Sequence, residues 1–159
     1  MTEGLDTSYP DAASSPGLAL WRVTNGWQRL IRAALTPHDV THVQFVLLAS
    51  LTWMDRSEPV TQRDLATHAG TDVMMTSQVL RALETKGLVT RRQHPTDRRA
   101  ISVSVTQAGA ALANRANRDV EKADADYFSL LSPADRSQFI QYLLALDSPP
   151  QIRPASSEH

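Results

Sequence analysis

The stretch from Val60 to Thr106 constrains the fold of this chain more than any other. It opens with Thr61-Gln-Arg-Asp-Leu-Ala-Thr-His-Ala, where Thr61 can cap a helix and Asp64, three residues on, completes a capping box. Gly70 permits a tight turn. Thr71-Asp72 then starts a second capped helix that runs to Lys86 and stops at Gly87, the residue type favoured where the backbone turns left-handed. Leu88-Val-Thr-Arg-Arg, the tip Gln93-His-Pro-Thr-Asp-Arg-Arg and Ala100-Ile-Ser-Val-Ser-Val follow, and in the last of these Ile101, Val103 and Val105 alternate with serines as in a half-buried strand. Two capped helices joined by a glycine turn and followed by a two-stranded ribbon form a winged helix-turn-helix pattern.

Charge supports this reading through its distribution and not its total. The chain carries a net charge of −1, which alone argues for no nucleic-acid partner. From Gln62 to Val105, however, seven Lys or Arg stand against four acids, +3, while the remainder has nine basic and thirteen acidic residues, −4. Positive charge is concentrated in the segment that would meet phosphates. The 159 residues fit one domain with a sizeable core, or one domain plus a dimerisation element. Cysteine is absent, which removes disulfides and Cys-ligated zinc from consideration. No apolar run approaches the ~20 residues that span a bilayer, and no basic-then-apolar leader opens the chain, so the expected location is the cytoplasm.

In chain order, residues 1–15 are polar and aperiodic and read as a disordered tail. Residues 16–36 read as a helix started by Ser15-Pro16, with Leu20, Val23, Trp27, Leu30, Ile31 and Ala34 as its stripe and Thr36-Pro37 as its stop. Residues 37–105 form the reading lobe. There Thr41-His-Val-Gln is a capping box that opens a helix with Phe45, Leu48, Leu51 and Thr52 on one face; Leu47 and Trp53 make it apolar nearly all round, so it is expected to be central and buried. Arg56-Ser-Glu-Pro is the loop before the reading unit. Residues 106–147 hold two more helices, one from Thr106 to about Leu131 with Leu112, Ala116, Val120, Ala123 and Tyr127 as its stripe, and one after Ser132-Pro carrying Phe139, Ile140, Leu143, Leu144 and Leu146. Residues 148–159, with Pro149-Pro150, read as a disordered end. The expected fold is mainly α with a small β-wing, a winged helix-turn-helix plus a helical dimerisation region.

On the second helix of the reading unit, Thr76, Val79, Leu80 and Leu83 share one face by their spacing and should pack on the core. Met74, Ser77, Gln78, Arg81 and Thr85 lie opposite. Such a face suits a major groove, with hydroxyls for phosphates, Gln for adenine edges and Arg for guanine edges. The candidate DNA contacts on this helix are Thr76, Ser77, Gln78 and Arg81. At the tip, an arginine on a thin loop suits a narrow minor groove. Asp97 could orient one guanidinium by a bidentate pair, so Asp97, Arg98 and Arg99 complete the set. An ordinary solvated face is the competing account of these charges, and the flanking turn and wing outweigh it.

Asp97-Arg-Arg followed by Val105-Thr106 resembles the D-x-R-(x5)-L-T signature of the MarR family of transcriptional regulators, with Val105 as a conservative departure from Leu. Leu83-Glu-Thr-Lys-Gly-Leu-Val-Thr-Arg is similar to that family's passage from helix to wing. The likeness spans about Leu18 to Leu146. It implies Arg99 in a minor groove with Asp97 supporting it, the Thr76–Arg81 face in a major groove, and a homodimer built from the first helix and the last two on a palindromic operator. The apolar helices at both ends independently leave more hydrophobic stripe than one small winged domain covers. The resemblance also implies a small aromatic or phenolic effector that releases a repressor. Trp21, Arg22, Trp27, Arg29, Phe45 and Trp53 are the candidate lining, ring faces and guanidinium groups suiting an aromatic carboxylate; core packing accounts for the tryptophans equally well.

No motif joins the serines, histidines and aspartates into a catalytic set, so the chain is not read as an enzyme, and no cofactor is expected. A metal-responsive regulator of the same fold is one alternative. His38 and His42 are four apart, but Pro37 and the cap at Thr41 interrupt a continuous helical pair. A winged-helix protein–protein adaptor is the other, and the basic tip and the Gln/Arg face argue against it.

Overall fold

The computed structural model describes residues 4–54 and 58–147. The expected disordered end at 148–159 and the Arg56-Ser57 half of the loop lie outside the described residues. The chain divides after Asp124 into two compact units.

The first unit holds α1 (Pro16–Leu35), α2 (His42–Trp53), β1 (Val60–Thr61), α3 (Gln62–Ala69), α4 (Val73–Thr85), β2 (Val89–Gln93), β3 (Ile101–Val105) and all but the last three residues of α5 (Gln107–Tyr127). Each helix begins where a side chain takes up open N–H groups. The Ser15 hydroxyl accepts from Leu18 N–H at 3.3 Å, with Pro16 in the first turn. Both capping boxes form reciprocally, Thr41 with Gln44 and Thr61 with Asp64. Asp72 accepts from Met75 N–H at 2.9 Å, and Thr106 from Gly109 N–H at 3.0 Å. Two helices stop at left-handed glycines, Gly70 (φ 65°) after α3 and Gly87 (φ 72°) after α4. At the second, Gly87 N–H reaches Glu84 C=O and Leu88 N–H reaches Leu83 C=O, both at 2.9 Å, which is the Schellman arrangement.

Ile31, Leu35, Leu47, Leu48, Leu65, Leu80 and Leu83 are fully buried and bind α1, α2, α3 and α4 into one core. Val89 and Val103 close it from the sheet. That sheet has three strands and not two: β1 pairs antiparallel with β3 (Val60 opposite Val103), and β3 pairs with β2 (Val89 opposite Val105), in the order β1-β3-β2.

Several expectations change in detail. Of the α1 stripe, Ile31 is buried and Trp27 and Ala34 are half-buried, while Leu20, Val23 and Leu30 are exposed, because α1 meets the core through Trp27, Ile31 and Leu35. The apolar all-round α2 buries Phe45, Leu47, Leu48 and Leu51, yet Trp53, its last residue, is 88% exposed. The expected tail is exposed over residues 4–14, but Ala12–Ser14 form a 3-10 turn capped by the Asp11 carboxylate.

In the second unit, α5 ends at Tyr127 instead of about Leu131 and passes into a 3-10 turn over Phe128–Leu130. Then α6 (Pro133–Asp147) begins with the Ser132 hydroxyl accepting from Asp135 N–H at 3.2 Å. Phe128 and Phe139 pack at 6.0 Å between ring centres. Ile140, Tyr142, Leu143, Leu144 and Leu146 all remain exposed, so α6 shows apolar side chains on more than one side.

Candidate nucleic-acid interface

α4 is anchored by one face and open on the other. Leu80 and Leu83 hold it to the core, which leaves Met74, Gln78 and Arg81 exposed and Ser77 half-buried on the outer side. Thr76 does not join that outer set. It has no exposed surface, its hydroxyl donates to Asp72 C=O at 2.7 Å, and it lies 2.7 Å from the Thr71 hydroxyl. The expectation that Thr76 meets DNA is therefore corrected: its spacing with Leu80 and Leu83 places it inside, where it secures the turn between α3 and α4.

The wing is braced against this helix by a residue that the sequence reading did not single out. Arg91 Nε donates to Gln62 Oε1 at 2.9 Å, its guanidinium pairs with Glu84 at 3.5 Å, and its backbone N–H donates to the same carboxylate at 3.2 Å. One arginine on β2 thus joins the start of α3, the end of α4 and the sheet. A basic residue in a strand carries no sequence signal that separates a brace from a phosphate contact.

At the tip, Arg98 and Arg99 are exposed and have no ion-pair partner among the described residues. The bidentate pair expected of Asp97 does not form. Its Oδ1 accepts instead from the Arg99 backbone N–H at 2.9 Å, an Asx-type bond that shapes the loop and leaves the guanidinium free. Between the tip and the helix-turn-helix lies a groove of about 430 Å³ lined by Gln62, Arg63, Val73, Asp97, Arg99 and Ala100 among others. It brings Arg63 and Arg99 to one concavity although they are far apart in sequence. Arg63 was readable only as an exposed helix residue. The Asp64 carboxyl beside it is held below its ordinary value by hydrogen bonds from the Thr61 hydroxyl and backbone N–H, so it stays ionised as a cap.

The six residues proposed to line an effector cleft are not drawn into one group. Phe45 is a core residue at 6% exposure, and Trp53 and Trp21 stand out at 88% and 68%. Arg22 and Arg29 are exposed on α1. Only Trp27 is half-buried in a polar setting, where its Nε1 donates to Asp124 at 2.7 Å and its ring meets His42 edge-on at 5.2 Å. Burial, aided by Arg32, pushes the His42 imidazole down from its ordinary pKa, against a smaller opposing pull from Asp124. His38 is engaged elsewhere, 2.6 Å from Asp119 on α5. Among the described residues no three His, Cys, Asp or Glu side chains cluster as metal ligands.

The fold has counterparts among known proteins. The MarR family model matches residues 40–101. The HTH-type transcriptional regulator YdcH of Bacillus subtilis is 44% identical over 117 residues, covering 73% of this chain and 80% of its own. The crystal structure of CouR from Rhodococcus jostii bound to p-coumaroyl-CoA superposes with a TM-score of 0.79 at 25% identity, over 91% of this chain and 100% of that one. A mutant MarR of Escherichia coli complexed with operator DNA superposes with a TM-score of 0.72 at 26% identity, over 84% and 93% of the two chains.

Proposed function

The chain belongs to the MarR family of HTH-type transcriptional regulators, and from that premise we propose that it binds double-stranded operator DNA as a homodimer and represses transcription there. The observation that carries the reading is one braced arrangement: the open face of α4 and a wing tip whose Arg98 and Arg99 have no ion pair among the described residues, held together through Arg91. Ser77, Gln78 and Arg81 enter a major groove and read base edges. Arg99 enters the flanking minor groove, with Asp97 shaping the loop behind it, and Arg98 holds phosphate. Arg63, facing the same groove as Arg99, adds a phosphate contact. Two copies place their helices on half-sites about one helical turn, ~10 bp, apart. The exposed apolar faces of α1 and α6 are covered by the second copy. The protein acts in the cytoplasm, where its DNA lies; among the described residues no helix is long and apolar enough to cross a membrane.

A small aromatic effector belongs to the same reading, supported by the p-coumaroyl-CoA bound to the CouR neighbour. Trp27 on α1 is its best-placed contact among the six candidates, since it alone pairs a half-buried ring with polar neighbours.

The test begins with duplexes recovered from the protein's own genomic fragments. Flanks are then varied between A·T-rich and G·C-rich while the core sites stay fixed. Wild-type protein should favour A·T-rich flanks because the minor groove there is narrower. Arg99→Ala should weaken binding and erase that preference; Arg98→Ala should weaken binding and keep it. An Arg99→Ala protein with the wild-type flank preference removes Arg99 from the minor groove.

A further inference from the structure

The wing tip contains a histidine that the interface described above does not use. His94 is half-buried at the start of the tip, and its Nδ1 faces three donors: Asp97 N–H at 3.2 Å, and the Thr96 N–H and hydroxyl, both at 3.3 Å. A backbone N–H can only donate. Nδ1 therefore offers a lone pair here, and the ring is the neutral tautomer with its proton on Nε2. Four other bonds close the loop: Asp97 Oδ1 from Arg99 N–H at 2.9 Å, Asp97 C=O from Ala100 N–H at 3.1 Å, Ala100 C=O from His94 N–H at 3.0 Å, and Arg98 C=O from Gln93 Nε2 at 3.1 Å. Of the three residues after His94, Pro95 has no N–H, and the Thr96 and Asp97 N–H groups both go to the imidazole. The ring is the hub on which the approach to Arg98 and Arg99 is built.

We propose that His94 is a positioning residue for DNA recognition, its neutral imidazole holding the tip in the shape that presents Arg98 and Arg99, so that protonation at Nδ1 releases the tip. The proposal rests on the wing being a DNA contact. Protonation turns the acceptor into a donor that confronts two N–H groups, and the bonds are lost. The charged groups nearby are Asp64, with Arg63 beside it, on α3, and Asp97, Arg98 and Arg99 in the tip itself, two acids against three cations. A positive charge on His94 would act on the Asp64 carboxylate of α3. An added positive charge also strengthens general attraction to phosphate. Total affinity is therefore the wrong readout, and selectivity is the right one.

The test uses the full chain and two variants, His94→Asn and His94→Ala, followed from about pH 8 to about pH 5, the range in which histidine changes charge. NMR reports the Thr96 and Asp97 amides alongside the His94 ring. Binding is read as the ratio of affinities for a duplex that wild-type protein enriches from a random-sequence library and for the unselected library. In wild-type protein the two amides should move with the imidazole, and the ratio should fall about fivefold across the range, as expected for loss of a pair of long hydrogen bonds. His94→Ala should show the lowered ratio at every pH. His94→Asn, whose side-chain oxygen accepts the same N–H groups without titrating, should keep the high ratio throughout. If the tip amides ignore the imidazole in a protein that still enriches a duplex, this proposal alone is overturned, as it is if His94→Ala leaves the amides and the ratio at wild-type values. If the amides follow the ring but no duplex is enriched, the DNA reading fails and takes the positioning role with it.

Discussion

Gly109 offers a test of how the wing is rooted. It is buried in the first turn of α5, three residues after the capping Thr106. A Cβ built there would lie 2.0 Å from Leu88 O, 2.9 Å from Leu88 C and 2.9 Å from Val105 Cγ2. Two of those atoms are backbone, so no rotamer change relieves the clash; α5 and the residue before β2 must separate by about an ångström to reach an ordinary C···O contact. Leu88 O is also the acceptor for Thr106 N–H at 3.0 Å. Separation therefore breaks a bond that closes the base of both wing strands. Overpacking of this kind costs about 1–3 kcal/mol, and the lost bond adds about 1 kcal/mol. Against this, alanine is better than glycine in a helix by about 1 kcal/mol. Gly109→Ala should then lose about 1–3 kcal/mol, a fall in melting midpoint of roughly 3–10 °C for a chain of this size. Calorimetry measures the midpoint, and hydrogen exchange should show faster opening at β2 and β3 than at α2. A variant that melts at or above wild type would refute the close approach and leave helix propensity as the larger effect.

Asp64→Asn should lower stability by an amount that depends on pH. The folded carboxyl is held low by its bonds from Thr61, so its contribution is fully present above the unfolded value of about 3.9 and is lost as pH falls through the folded one. Urea denaturation of both proteins between about pH 7 and pH 2.5 should show the curves converging at the acid end, and a constant gap would contradict the charged cap. On α6, Leu143→Glu alters an exposed residue and should leave the fold intact while weakening self-association at least about tenfold. A sizing column that still returns a tight dimer would move the interface elsewhere.

The parts of this structure that were legible in the sequence are those set by local chemistry. Thr41 with Gln44, Thr61 with Asp64, and the glycines at 70 and 87 each announce a helix end through one residue's conformational preference, and all four ends stand where that preference puts them. What was not legible depends on distant partners. β1 is two residues long, too short for any periodicity, and exists because Val60 and Thr61 meet Val103 and Ser102. Trp53 belongs to an apolar helix, but only the position of its neighbours shows that its end faces outward. Arg91 and Arg98 are the same residue type in the same ribbon. One is a brace because Glu84 and Gln62 stand beside it, and the other is exposed with no ion-pair partner among the described residues. Asp97 was expected to serve a side chain and serves the backbone instead, since a carboxylate in a turn reaches an N–H two residues on more easily than a mobile guanidinium.

The same distinction explains how a chain with net charge −1 can serve a polyanion, and it sets a number. The four acids between Gln62 and Val105 are all engaged within the protein. Asp64 and Asp72 cap α3 and α4, where each answers the positive end of its helix. Asp97 holds the tip, and Glu84 holds Arg91. Of the seven cations, Arg91 is paired with Glu84 and Lys86 with Asp39. Arg63, Arg81, Arg92, Arg98 and Arg99 remain without an ion pair among the described residues, all of them exposed. A dimer carries ten such arginines, so at most about ten phosphates are neutralised, and the slope of log K against log salt should be no steeper than about −9. Replacing one phosphate-bound arginine by alanine changes both copies and should flatten the slope by about 2. Affinity measured on a single duplex from about 50 to about 200 mM salt gives the slope directly. A value clearly steeper than about −9 would mean that cations outside this segment, or the paired Lys86 and Arg91, reach the DNA. A value flatter than about −2 would mean that phosphate attraction is not what holds the complex, and the charge asymmetry along the chain would then need another purpose.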